Sequence, residues 1–334
     1  MAIIYHKKVF DHKQWEGHPE SPFRIRTLKK KLVQEGLWKN IIPPKMIRDK
    51  DVLKVHTEDH LRRLKYGGGV LTDPDTMVRN ETYELAMLSA SIATTAVKLA
   101  LKGVPSFAVC RPPGHHAGRG SMEGFCYLNN VAIAVEAAGV RTAIVDIDAH
   151  HGNGTEEIFY GRSDVLLIDV HESCLFTETG NVDDMGEDEG EKYTVNIPVP
   201  KYSGNRTYKR VMDEMVVPIL RQFEPELIVV GLGVDAHYCD TNSHLGLNTE
   251  TYVNLCKRLI SESKDGKIAF ILEGGYHLRS TAEVAAGVLA AFEGRNIHPE
   301  YNEERQDNIG RGEIKKIKDH IGKYWDLSIY DQWG

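Results

Sequence analysis

"AIVDIDAHHGNG", residues 143–154, begins as an apolar run that reads as a buried β-strand and finishes in two aspartates and two histidines. Its apolar part does not alternate with polar residues, as expected for a parallel strand covered on both faces. Side chains two apart on a strand share a face, so Asp146, Asp148 and His150 project together at the C-terminal end. In open α/β sheets that end is where ligands bind.

Working outward, similar runs recur at "SFAVC" (106–110), "RTAIVDID" (141–148), "DVLLIDV" (164–170), "YTVNIPV" (193–199), "LIVVGLGV" (227–234) and "KIAFILEGG" (267–275). Helical periodicity lies between several of them, at 84–103, 205–223 and 248–263. This predicts an α/β fold with a mainly parallel sheet. With neither an internal repeat nor a Pro/Ser-rich linker, residues 1–334 are expected to form a single domain. Beyond residue 295 the chain is a charged extension, in which Ile314, Ile317, Ile321 and Trp325 fall on one helical face expected to dock on the body.

Composition narrows the function. A hydrophobic share of 41% and a charged share of 27% describe a globular protein. A net charge of -7, without a basic stripe, argues against nucleic-acid binding and favours tolerance of a cationic substrate. The five cysteines are scattered and show no CxxC spacing, which fits a reducing compartment and a cytoplasmic protein better than a disulfide framework. Neither a signal peptide nor a membrane span is expected. The acidic stretch "DDMGEDEGE" (183–191) reads as a solvated loop, and an oligomer is compatible with the sequence.

Other strand ends are reactive as well. "SFAVC" leads to His115 and His116, "LIVVGLGV" to Asp235, and "IAFILEGG" to Tyr276. One strand-end aspartate is more often a cap or turn residue, but several strand ends converging on Asp, His and Tyr point to a metal site. Asp148, His150 and Asp235 make a three-ligand, oxygen-rich set with positions open to water and substrate, the pattern of catalytic zinc. Such a metal activates water and polarises a carbonyl. A histidine, His115 or His116, would carry the proton, Asp146 would orient one of them, and Tyr276 would donate to the developing oxyanion. The donor set would also accept iron(II), cobalt or manganese.

Five ordered motifs, "RPPGHHA" (111–117), "EGFCYLNNVAIA" (123–134), "VDIDAHHGNGTEEIF" (145–159), "GVDAHYCD" (233–240) and "EGGYHL" (273–278), resemble the zinc-dependent histone deacetylase superfamily, which includes acetylpolyamine amidohydrolases and acetoin-utilisation proteins. "HPESPFR" (18–24) resembles its N-terminal signature, and the likeness runs over residues 1–295. It implies the arginase/deacetylase fold, a parallel sheet of about eight strands flanked by helices. By motif position it implies Asp148, His150 and Asp235 as zinc ligands and His116 as general base and acid. His115 would be its electrostatic partner, paired with Asp146, and Tyr276 the carbonyl-polarising phenol. Phe125, preceded by Gly124, and Phe176 would wall the acyl-lysine methylenes. Arg24 would lie near an internal acetate cavity, and Asp75, or else Asp73, would hold the substrate backbone at the rim. A potassium ion would sit beside the site on Asp146 and Asp169 and on the backbone near Asp148 and His150; an Asp169 paired with a neighbouring base is the alternative.

Three departures carry information. Asn153 stands where some branches orient the base with aspartate, which predicts a lower pKa for His116 than in an Asp-paired site. Gly152 and Gly233 stand where the binuclear-manganese ureohydrolases of the same fold carry further carboxylates, which disfavours a second metal. Asn242 stands at a gatekeeping position and selects neither a lysine nor a polyamine. The expected activity is removal of acetyl groups from lysine side chains of proteins or peptides. The alternatives are deacetylation of a small acetylated amine and, from another class, an inactive acyl- or metabolite-sensing protein.

Overall fold

The computed structural model describes residues 1–68, 71–307 and 311–328. The strands in chain order are β1 (Ala2–Ile4), β2 (Ile41–Ile42), β3 (Leu71–Asp73), β4 (Thr76–Met77), β5 (Ser106–Ala108), β6 (Thr142–Asp146), β7 (Val165–Glu172), β8 (Thr194–Val199), β9 (Leu227–Leu232) and β10 (Ile268–Leu272). Eight of them form one sheet in the order β2-β1-β5-β10-β9-β6-β7-β8, every pairing parallel. β3 and β4 form a separate antiparallel hairpin. All residues of β6, β7, β9 and β10 are buried, which is why these strands consist mostly of Val, Ile, Leu and Ala.

The helices are α1 (Pro22–Gln34), α2 (Asp49–Val52), α3 (Glu58–Tyr66), α4 (Thr82–Ala100), α5 (Asn130–Ala138), α6 (Asn153–Phe159), α7 (Asn205–Val211), α8 (Val217–Phe223), α9 (Thr249–Glu262), α10 (Leu278–Ala291) and α11 (Arg311–Ile321). They flank the sheet, α4 packing on α5 while α1 and α9 pack on α10. Ile314, Ile317 and Ile321 of α11 and Trp325 beyond it are buried, and the Trp325 indole donates to the Lys192 carbonyl. Among the described residues no helix is long and apolar enough to cross a membrane.

The strand order places the site. From β6 the chain steps outward to β7 and β8, then returns so that β9 lies on the other side of β6. Connections on either side of β6 lead away in opposite directions, and a crevice opens at the carboxyl ends of β6 and β9. Three expectations needed revision, the first being the strand predicted over 141–148, which ends at Asp146 and leaves Asp148 and His150 in the loop beyond it. The helix predicted over 205–223 is interrupted by a π-turn at Met212–Val216, and the strand predicted over 106–110 ends at Ala108, leaving the next residues as the loop that carries His115 and His116.

Candidate active site

Asp148, His150 and Asp235 come together beyond β6 and β9, with one potential ligand atom from each lying within 4.8 Å of the others. Asp148 and Asp235 are fully buried. His150 Nδ1 lies 3.0 Å from Asp148 Oδ1 and 3.2 Å from Asp235 Oδ2. Each carboxylate is aimed by an amide from a different strand end: Gly274 N donates to Asp148 Oδ2 (2.9 Å) and Ala149 N to Asp235 Oδ1 (2.8 Å). Burial alone would depress the His150 imidazole, yet hydrogen bonds to Asp148 and Asp235 raise its pKa to about 10. Two buried carboxylates facing one imidazole thus form a pocket that attracts positive charge, which is what a divalent cation supplies. The donor set fits zinc.

His115 and His116 lie side by side with their rings tilted 46° and centroids 4.0 Å apart, each with a different partner. His115 Nδ1 donates to Asp146 Oδ2 (3.2 Å), and the Asp148 carboxylate lies 3.9 Å from its other nitrogen. Burial opposes its protonation, but Asp148 and Asp146 outweigh burial and raise its pKa well above the usual value. His116 Nδ1 donates to the neutral Asn153 Oδ1 (2.7 Å). Burial, reinforced by the positive charges of His115 and His150, pushes its pKa well down. Neighbouring imidazoles whose environments drive them apart are suited to different roles, one charged and one a free base.

Tyr276 follows β10. Asp240, a buried residue the sequence reading passed over, accepts from the Tyr276 and His277 amides (2.6 and 2.8 Å) and also from the Asn242 amide nitrogens. The Asn242 side chain is therefore engaged by Asp240. Arg24, buried, lies over the Tyr276 ring at 4.9 Å and donates to the carbonyls of Gly275 and Glu273. Glu273, also missed, accepts from Gly114 N (2.7 Å) and from His115 N (3.3 Å), tying the histidine loop to the end of β10. Burial pushes its carboxyl up to about 7.

The two predicted wall aromatics flank these groups, Phe125 at 5.6 Å from Tyr276 and Phe176 at 5.0 Å from His116. Both have φ of 67°, a backbone conformation bulky residues seldom adopt outside sites that hold it in place. At Gly124 (φ 55°) an added Cβ would lie 2.4 Å from His116 Cδ2, so the turn rests directly on that ring. Of the two rim candidates, Asp73 is engaged internally, accepting from Gly124 N, Thr76 Oγ1 and Asp75 N, while Asp75 is exposed. Asp169 pairs with His171 (2.7 Å) and accepts from Gly152 N (2.9 Å).

Comparison with known proteins decides the family. The histone deacetylase domain is matched over residues 18–292. The chain belongs to the histone deacetylase family. Its relatives include a probable deacetylase of Archaeoglobus fulgidus, 34% identical over 97% of this chain and 98% of that one. A histone deacetylase-like amidohydrolase of Pseudomonas aeruginosa is 36% identical over 78% and 73% of the two chains. The crystal structure of the HDA15 HD domain superposes with a TM-score of 0.90 at 29% identity, covering 98% of this chain and 96% of that one. The fold is thus the arginase/deacetylase fold, and the chain is a deacetylase of the histone deacetylase family, which is generally zinc-dependent.

Proposed function

We propose that the protein is a zinc-dependent amidohydrolase that removes acetyl groups from lysine side chains of proteins or peptides. The observation carrying this reading is the adjacency of the Asp148, His150 and Asp235 group to a histidine pair with split environments. Asp148, His150 and Asp235 would hold the zinc, which when bound makes water nucleophilic at neutral pH and polarises the amide carbonyl. His116, its Nδ1 engaged by Asn153, presents Nε2 to take the proton of the attacking water and return it to the leaving amine. His115, held charged by Asp148 and Asp146, supplies positive potential next to that proton transfer. The Tyr276 phenol, kept protonated by burial, donates to the oxyanion. Phe125 and Phe176 bracket the aliphatic chain, and the exposed Asp75 carboxylate is free to meet a peptide backbone. Since Asp240 already engages the Asn242 side chain, that residue offers no charge to select a polyamine.

The test is deacetylation of an acetyl-lysine peptide and an acetylated polyamine side by side by the purified zinc-loaded protein, with Tyr276→Phe as control. Faster peptide turnover, lost in the variant, is expected. Faster polyamine turnover would move the substrate to small amines. Metal bound with no turnover of either, or of longer acyl chains, would favour the acyl-sensing reading.

A further inference from the structure

Behind His116 lies a second hydrogen bond. Asn153, at the start of α6, accepts from His116 Nδ1 through Oδ1 at 2.7 Å and donates through Nδ2 to Glu123 Oε1 at 2.6 Å. Glu123 immediately precedes Gly124 and Phe125, in the turn whose backbone rests on the His116 ring. It is a half-buried carboxylate in a direct line with the base, and neither the metal group nor the substrate walls require it there.

Chemistry assigns that line a direction. An amide side chain offers an acceptor at one end and donors at the other, and the two ends exchange places by rotating about one bond. A carboxylate only accepts, so Glu123 forces the NH2 end of Asn153 toward itself and the oxygen toward His116. An oxygen facing Nδ1 requires Nδ1 to carry the ring proton, which leaves the Nε2 lone pair free. With the amide reversed, its NH2 would require a lone pair at Nδ1, and the neutral ring would carry its proton on Nε2. A base with its proton on Nε2 cannot accept another there. We infer that Glu123 is a positioning residue that selects the productive tautomer of His116 by fixing the orientation of Asn153.

The inference rests on His116 being the base, and it makes the pair reciprocal. Glu123→Gln removes the group that only accepts, so the facing amides no longer fix an orientation. Asn153→Asp sets a carboxylate against the Glu123 carboxylate at hydrogen-bond distance. The double variant restores a donor facing an acceptor, with glutamine donating to the new aspartate, whose other oxygen accepts from Nδ1.

The experiment measures kcat and KM of the zinc-loaded protein on an acetyl-lysine peptide for the two single variants and the double variant. Metal content, thermal melts and His116→Gln serve as controls. Each single substitution is expected to lower kcat by about tenfold or more with KM little changed, the usual scale for partners that orient a working side chain. The double variant is expected to recover to within about threefold of the parent, a coupling that independent sites do not show. Additive losses, or a fully active Glu123→Gln, would overturn the inference while leaving His116 as the base. Full activity in His116→Gln would overturn the proposed mechanism itself. The unmodified protein gives an independent reading if a single variant fails to fold. Its 15N-histidine spectrum, with His116 assigned by difference from His116→Gln, should show the ring proton on Nδ1; a proton on Nε2 would overturn the inference.

Discussion

At Gly233 an added Cβ would lie 2.0 Å from Asp148 Oδ2, and at Gly274 one would lie 2.3 Å from Asp235 Oδ2 and 2.4 Å from Asp148 Oδ2. All three distances are far inside van der Waals contact, and both Asp148 and Asp235 are buried with amides already aiming them. Either glycine replaced by alanine should therefore displace a proposed metal ligand, Asp148 or Asp235, while leaving the surrounding sheet intact. Gly274→Ala is expected to lose most of its zinc by elemental analysis and at least about a hundredfold in deacetylation, consistent with the cost of disturbing the shell around a metal. Retention of stoichiometric zinc and activity would show that the pocket relaxes around the methyl group. The crowding at Gly233 also gives a physical reason why that position carries no second-metal carboxylate. The convergence of several strand ends on Asp, His and Tyr made Asp148, His150 and Asp235 legible in the sequence as candidate ligands, even though β6 itself ends at Asp146. Asp240, Glu273 and Glu123 left none, since each acts on a backbone amide or a side chain distant in sequence.

The β3–β4 hairpin and the turn after Glu123 behave as one element. Asp73 accepts from Gly124 N (2.8 Å) and from Thr76 Oγ1 (2.9 Å), and Thr76 Oγ1 in turn accepts from Phe125 N (2.8 Å). These bonds hold Phe125 in its left-handed conformation beside Tyr276. Asp73→Ala leaves the Gly124 amide without its acceptor and releases the Thr76 hydroxyl that holds Phe125 N, a loss of about 1–3 kcal/mol. The expected result is a KM for the acetyl-lysine peptide raised about tenfold, with zinc content unchanged and a smaller effect on kcat. An unchanged KM would mean that the turn holds itself. Asp75→Asn, which removes the charge proposed to meet the peptide backbone, is expected to weaken the peptide and spare the acetylated polyamine, and equal effects on both would remove Asp75 from that role. At this scale the sequence showed the long central strands but not β1 or β2, whose three and two residues are too short for a periodic signal. The π-turn in 205–223 was hidden for a related reason, since one extra residue per turn leaves helical periodicity on both sides nearly intact.

Across the whole molecule, the strands were readable one by one, but their order was not. Parallel neighbours are joined by long crossovers, and nothing local tells β9 to return beside β6 rather than continue past β8. The likeness of motifs to a known family implied a parallel sheet of about eight strands without their order, and the order seen in the structure explains why four strand ends meet. The same compactness buries histidines that no reaction uses. His56 accepts from Asn129 N through Nε2 (3.0 Å) and donates through Nδ1 to the Gly118 carbonyl (2.8 Å), pinning the loop between His116 and α5 in a neutral tautomer. Burial, and the stacked His60 ring 4.3 Å away, push its pKa down to about 3, while burial brings His237 to about 4. The unfolded chain protonates these imidazoles near 6.5, whereas the native state resists until far lower pH. Their contribution is therefore complete above pH 6.5 and is lost progressively as pH falls toward 3, by about 1.4 kcal/mol per group for each pH unit crossed. Glu20, whose burial is outweighed by Arg111, His12 and Arg24 so that its pKa falls to about 2, adds a loss of the same sign below pH 4.5. Between pH 7 and pH 5 the His56 and His237 imidazoles pull the melting temperature down, against an opposite pull from Glu273, whose carboxyl, raised to about 7, takes up its proton first in the native state. His56→Gln, which cannot take up a proton, should start from a lower melting temperature and fall less over that interval. Parallel curves for parent and variant would place the acid sensitivity elsewhere.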